Sequence, residues 1–140
     1  MNTTRPLIPG LVSITFRTLS PAEIIALVRK AGLRSIEWGA DIHVKPGERA
    51  TAKEVGERTR EAGLLVSSYG SYYHAGSDDP AAFDPILDGA VALGAPRIRV
   101  WSGRVDAAQA TESHRQRVVE DLRRIVALAG ARDIRIAAEF

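Results

Sequence analysis

Cysteine is missing from this 140-residue chain. Disulfides and thiolate metal sites are therefore excluded, and the redox compartment stays undiagnosed. An excess of one charge is lacking too, since 19 Lys and Arg stand among 17 Asp and Glu and leave a net charge of +2. The basic residues are scattered, with no stripe, so nucleic acid is not an expected partner. Long apolar runs are also absent. The opening "MNTTRPLIPG" carries neither a signal-peptide core nor a membrane span, so a cytoplasmic place and no membrane partner are expected. What remains is an ordinary globular balance, 45% hydrophobic and 26% charged. Its length suits one domain, residues 1–140, with a real core.

The informative presence is a repeat. Four helix-like segments each close on glycine: "RKAGL" at Gly32, "REAGL" at Gly63, "VALGA" at Gly94 and "ALAGA" at Gly130, spaced 31, 31 and 36 residues apart. Glycine just past a helix takes positive φ without a Cβ penalty, which makes it the usual left-handed cap. The starts are marked as well. In "SPAE" Ser20 caps, Pro21 opens the helix and Glu23 completes a capping box, and "TAKE" repeats the device with Thr51 and Glu54. Asp79–Pro80 announces the third helix. The fourth is expected from Thr111 to about Ala129, with Val118, Leu122, Ile125, Val126 and Ala129 forming one apolar stripe.

Strands are expected near Leu11–Phe16, Ser35–Trp38, Leu64–Tyr69, Arg97–Trp101 and Ile134–Glu139. Strand and helix alternating in this way require parallel pairing with right-handed crossovers. Five strands and four helices fit either a flavodoxin-like doubly wound sheet or the β/α units of a partial TIM barrel. Length favours the open sheet, because a whole barrel takes roughly 250 residues. Pattern favours the barrel. One face carries Val12, Ile14, Phe16, Ile36, Leu64, Val66, Ile98, Val100, Ile134 and Ile136. The other carries Ser13, Thr15, Ser35, Glu37, Ser67, Tyr69, Arg97, Arg99, Trp101, Arg135, Ala137 and Glu139. Helices on both faces would bury those charges without partners, at several kcal/mol each. A single helix layer over the apolar face, with a polar lumen opposite, avoids that cost.

Loops that follow barrel strands build the active mouth. Glu37, Trp38, Asp41 and His43 follow the second strand; Glu37 is a catalytic candidate, or an interior ion-pair partner of Arg99. Trp38 is a candidate substrate wall. His43 reads as a substrate hydrogen-bonder, a metal ligand or an exposed loop histidine. Tyr69, Tyr72, Tyr73 and His74 follow the third strand, and the aromatics there, Tyr69 first, are candidates for a sugar-stacking wall or for packing under a loop. Trp101 ends the fourth strand, a flat wall beside a sugar or a core filler. His114 reads as a solvated helix residue. No P-loop, GxGxxG or Ser-His-Asp arrangement is present, and "TFRTLS" after the first strand has neither the acids nor the glycine of an open-sheet site.

With "SIEWGADIHV", "VSSYGSYYHAG", "IRVWSG" and "IAAEF" in this order and spacing, the chain resembles the N-terminal half of the xylose-isomerase-like TIM barrel superfamily. That group comprises sugar-phosphate isomerases and epimerases and includes endonuclease IV. The resemblance covers roughly residues 10–140 and implies a divalent metal, Mn, Mg, Co or Zn, at the C-terminal mouth. It implies that Glu139 is a metal ligand and catalytic residue at the end of the fifth strand, with His74 a further ligand candidate. The remaining ligands would come from strands six to eight. The implied chemistry moves a proton α to a sugar carbonyl through an enediolate, whose charge a cation stabilises. The expected function is the N-terminal part of a metal-dependent sugar or sugar-phosphate isomerase or epimerase. The alternative is a catalytically incomplete half barrel, without metal, that self-associates through exposed sheet edges.

Overall fold

The computed structural model describes residues 6–140. Its elements run β1 (Gly10–Val12), a 3-10 turn (Ser13–Phe16), α1 (Pro21–Lys30), β2 (Ser35–Gly39), α2 (Arg49–Glu61), β3 (Leu65–His74), a 3-10 turn (Pro80–Ala82), α3 (Phe83–Leu93), β4 (Arg97–Trp101), α4 (Glu112–Gly130) and β5 (Arg135–Glu139). All neighbouring strands pair in parallel, and the sheet order is β1-β2-β3-β4-β5. A flavodoxin-like sheet would reverse its strand order at a switch point. The unbroken order overturns that alternative and, with right-handed crossovers, puts every helix on one face. The core lies between that face and the helices, built on Ile24, Val28, Ile36, Trp38, Tyr69, Leu93, Ile98 and Val100.

Local chemistry explains most boundaries. Ser20 Oγ accepts from the Glu23 amide while the Glu23 carboxylate accepts from the Ser20 amide, the expected capping box. Asp79 caps the short turn ahead of α3, and Thr111 caps α4 by accepting from the His114 amide. Thr51 does not cap. Instead, α2 starts two residues earlier, at Arg49, with no side-chain cap on Glu48. Gly32, Gly63 and Gly94 take positive φ as expected, but Gly130 is the last residue of α4, and the left-handed turn falls on Asp133. Along α4, Val118, Ile125 and Ala129 are buried, whereas Val126 is 52% exposed.

Two strands depart from expectation in ways that matter for the site. β1 stops at Val12 because Ser13 turns inward: its Oγ accepts the Gly39 amide at 2.9 Å, and the chain winds into a 3-10 turn. The register Leu11↔Ile36 and Val12↔Glu37 also puts Val12 on the polar face, not the apolar one. β3 runs five residues past Tyr69 to His74, held to β4 by Ser71 Oγ donating to the Arg99 carbonyl. Its register against β2 shifts after Ile36↔Val66, so that Glu37 faces Ser68. The extra residue, Ser67, reverses the alternation beyond it.

Candidate functional site

The polar sheet face bears an open cleft of about 480 Å³ lined by Glu37, Ser67, Ser68, Arg97, Arg99 and Glu139, among others. At its centre is one guanidinium. Arg99 Nε donates to Glu37 Oε1 at 3.2 Å, and Arg99 Nη1 stands 3.2 Å from Glu139 Oε2. The Arg99 side chain is 15% exposed, against 47% for Glu139, which reaches outward from the last position of β5. The rings of Tyr72 and Trp101 lie 5.8 and 5.4 Å from the guanidinium carbon, within cation–π range. Gly70 supplies the room, since a Cβ there would come within 2.6 Å of Glu37 Oε1 and 3.0 Å of Arg99 Nη2. His74 stacks on Trp101 with 6.1 Å between ring centroids and 15° between planes.

The mouth is tied by further polar contacts. Arg17 pairs with Asp41 and also donates to the Tyr72 hydroxyl at 3.2 Å, so the segments after β1 and β2 meet the end of β3 at the ring that flanks Arg99. Asp78 Oδ2 accepts the His74 amide at 2.8 Å while Oδ1 accepts from Arg104 at 2.9 Å. Burial alone would raise the Asp78 pKa, but the His74 amide and the Arg104 guanidinium together hold it below the ordinary value.

Several expected site residues lie elsewhere. Trp38 is fully buried toward the helices, where Nε1 donates to Thr59 Oγ1 of α2 at 3.2 Å. Tyr69 is also fully buried, its hydroxyl donating to the Val44 carbonyl at 2.7 Å, and burial pushes its pKa far up. Neither reaches the lumen. The shift at Ser67 sends Tyr69 to the helix side and brings Gly70, Tyr72 and His74 to the polar side. His43 is no exposed loop histidine either. Its Nε2 lies 3.2 Å from the Leu19 carbonyl, which can only accept, so Nε2 carries the proton and Nδ1 accepts from the Ser13 hydroxyl at 2.9 Å. His114, expected in solvent, is 7% exposed, covered by the β4–α4 loop at Gly103. Glu37, Arg99, Trp101, His74 and Glu139 do come together on one face. Gly70, and the choice of Tyr72 over Tyr69 for the lumen, were hidden from sequence reading because Ser67 carries no mark of a bulge.

A divalent cation needs several hard ligands at one point. Among the described residues no three His, Cys, Asp or Glu side chains converge so as to hold a metal. Glu139 is engaged with Arg99, and His74 Nδ1 is directed at Asp78, 3.6 Å away. These residues alone do not complete a metal site.

Parallel strands in sequential order, one helix layer and a charged lumen face define a β/α barrel segment. The chain belongs to the xylose isomerase-like TIM barrel family, whose model matches residues 25–140. Solved structures agree in fold. The probable 3-DHS dehydratase AsbF involved in petrobactin synthesis from Bacillus anthracis superposes with a TM-score of 0.79 at 18% identity, over 94% of this chain and 52% of that one. An L-ribulose 3-epimerase gives 0.69 at 18% identity, over 94% of this chain and 49% of its own. A D-allulose 3-epimerase from Methylomonas sp., in complex with D-allulose, gives 0.67 at 20%, over 92% and 49%. The chain thus spans about half the length of these structures. No curated protein matches it in sequence. No helix among the described residues is long and apolar enough to cross a membrane.

Proposed function

We propose that this chain forms the N-terminal part of a sugar or sugar-phosphate isomerase or epimerase that depends on a divalent metal and works through an enediolate. The observation that carries the proposal is Glu139, a partly exposed carboxylate on the last residue of a parallel strand, at the C-terminal mouth of the lumen. Family membership and two neighbouring epimerases support the reaction class. In this reading Glu139 contributes one ligand of the cation, and the rest come from the other half of a barrel.

The residues present have separable tasks. Trp101 and Tyr72 offer flat rings at the mouth against which a sugar can lie and water is excluded. Arg99 joins Glu37 to Glu139, so the two carboxylates stand on either side of one fixed charge. Glu37 is the deeper of the two and the candidate acid–base group, able to take or return a proton at a carbon held beneath the rings. In the full-length barrel supplied with Mn²⁺ or Co²⁺, Glu139→Ala is expected to abolish epimerisation of a keto-sugar while leaving the fold intact. Undiminished turnover in that variant overturns the assignment.

A further inference from the structure

The lumen changes sign along its length. Arg97 and Arg135 open β4 and β5, and the register Arg97↔Arg135 sets them side by side on the polar face. Like charges on neighbouring strands repel unless an opposite charge lies between them. Among the described residues, neither guanidinium forms an ion pair. The two carboxylates lining the cleft, Glu37 and Glu139, are both engaged by Arg99 instead. Ser68 stands level with Arg97, one step before the Tyr69↔Ile98 pair of β3 and β4. It lines the cleft and is 5% exposed, yet its Oγ has no hydrogen-bond partner. A buried hydroxyl left that way is uncommon and costly. Ser67, set apart by the bulge, adds a second hydroxyl to the same lining. Fork-shaped cationic donors and hydroxyls without an acceptor are the set that phosphate oxygens satisfy.

We propose that Arg97, Arg135 and Ser68 form an oxyanion subsite at the lower end of the lumen, where the strands begin, and that it takes the phosphate group of the substrate. Arg97 stands two residues below Arg99 on β4, about 7 Å along the strand. A sugar phosphate standing upright on the subsite therefore brings its other end toward Glu37 and Glu139. The subsite selects sugar phosphates over the corresponding sugars. That the anion belongs to a substrate rests on the isomerase or epimerase reading, whereas the subsite itself rests on the register and the unpartnered donors.

The test is a titration of this chain with inorganic phosphate at constant ionic strength, followed by the amide NMR shifts of β4 and β5. Arg97→Met and Arg135→Met are each expected to weaken binding about tenfold or more, the worth of a charge-assisted hydrogen bond. Ser68→Ala should weaken it less. Arg123→Met removes a positive charge from the exposed side of α4, away from the lumen, and should bind like the parent. Circular dichroism reports the fold, and Arg97→Gln or Arg135→Gln replaces a methionine variant that does not fold. Absence of phosphate binding, or folded Arg97 and Arg135 variants that bind like the parent, overturns the subsite. So does an equal loss in Arg123→Met, because the attraction is then one of overall charge. D-fructose 6-phosphate is expected to shift the same amides and D-fructose to leave them unmoved. Phosphate binding without a response to the sugar phosphate overturns the assignment to a substrate. Turnover of Glu139→Ala in the full-length barrel is a separate measurement, so the reaction reading and the subsite can fail independently.

Discussion

Ser13 shows how much one small buried hydroxyl can organise. It ends β1, accepts the Gly39 amide and donates to His43, whose far nitrogen reaches the Leu19 carbonyl. Ser13→Ala leaves the Gly39 amide and His43 Nδ1 without partners inside the protein. The expected loss is about 1–3 kcal/mol, because an orphaned buried polar group costs its full desolvation; urea unfolding measures it. Histidines were the least legible residues in the sequence. His43 and His114 both sit where a loop or first turn suggests solvent, yet Ser13 and Leu19 enclose the first and the loop at Gly103 folds back over the second, which no local pattern announces. Glu37, Arg99 and Glu139 were legible, since charges alternating with apolar residues in a strand need a polar face.

At the scale of elements, α2 and α3 approach closely through Gly56. A Cβ there would run into the Leu93 carbonyl, a main-chain atom that cannot swing aside. Gly56→Ala should therefore destabilise by about 1–3 kcal/mol despite alanine's better helix propensity, as overpacking does. An unchanged urea midpoint would contradict that close fit. α4 is clamped to the β3–α3 loop by Asp121, which accepts from the Tyr73 hydroxyl at 2.7 Å, the Gly76 amide at 2.9 Å and Arg124 Nε at 2.9 Å. Burial alone would raise its pKa, but these donors lower it. A carboxylate depressed in the folded state contributes stability above its unfolded pKa, about 4, and that contribution is lost as pH falls through the folded value. The parent should thus lose stability below about pH 4, with the unfolded chain binding the extra proton. Asp121→Asn should be less stable at pH 6 and show a shallower acid decline, read from urea midpoints between pH 6 and 2. Helix order and the caps of α1 and α4 were readable because Ser, Thr, Asp, Pro and Gly mark them chemically, but the start of α2 and the left-handed turn after α4 were misplaced, at Thr51 and Gly130. The end of β1 and the length of β3 were not, because bonds from Ser13 and Ser71 to main-chain groups of neighbouring strands decide both.

For the molecule as a whole, β1 and β5 each pair on one side only among the described residues, which leaves two free strand edges. Val119 and Val126 of α4 are exposed as well. Unpaired edges beside apolar surface favour association. At micromolar concentration the chain is expected to sediment as a dimer or larger, and a clean monomer would refute this. Strand order was the most legible global property: the repeat fixes alternation, and the polar strand faces require a single helix layer.

Ser67 carries a consequence for phase. Beyond it, β3 alternates between two audiences, Tyr69, Ser71 and Tyr73 for the helices and Gly70, Tyr72 and His74 for the lumen. Were Ser67 paired regularly with Glu37 in place of the bulge, the two sets would be exchanged without altering any letter. Tyr69 would then meet Arg99 where Gly70 now leaves space, and Tyr72 would be driven into the core. Comparison of related chains across this strand should therefore count from the extra residue, since whether it is bulged out or paired decides which aromatics a ligand meets.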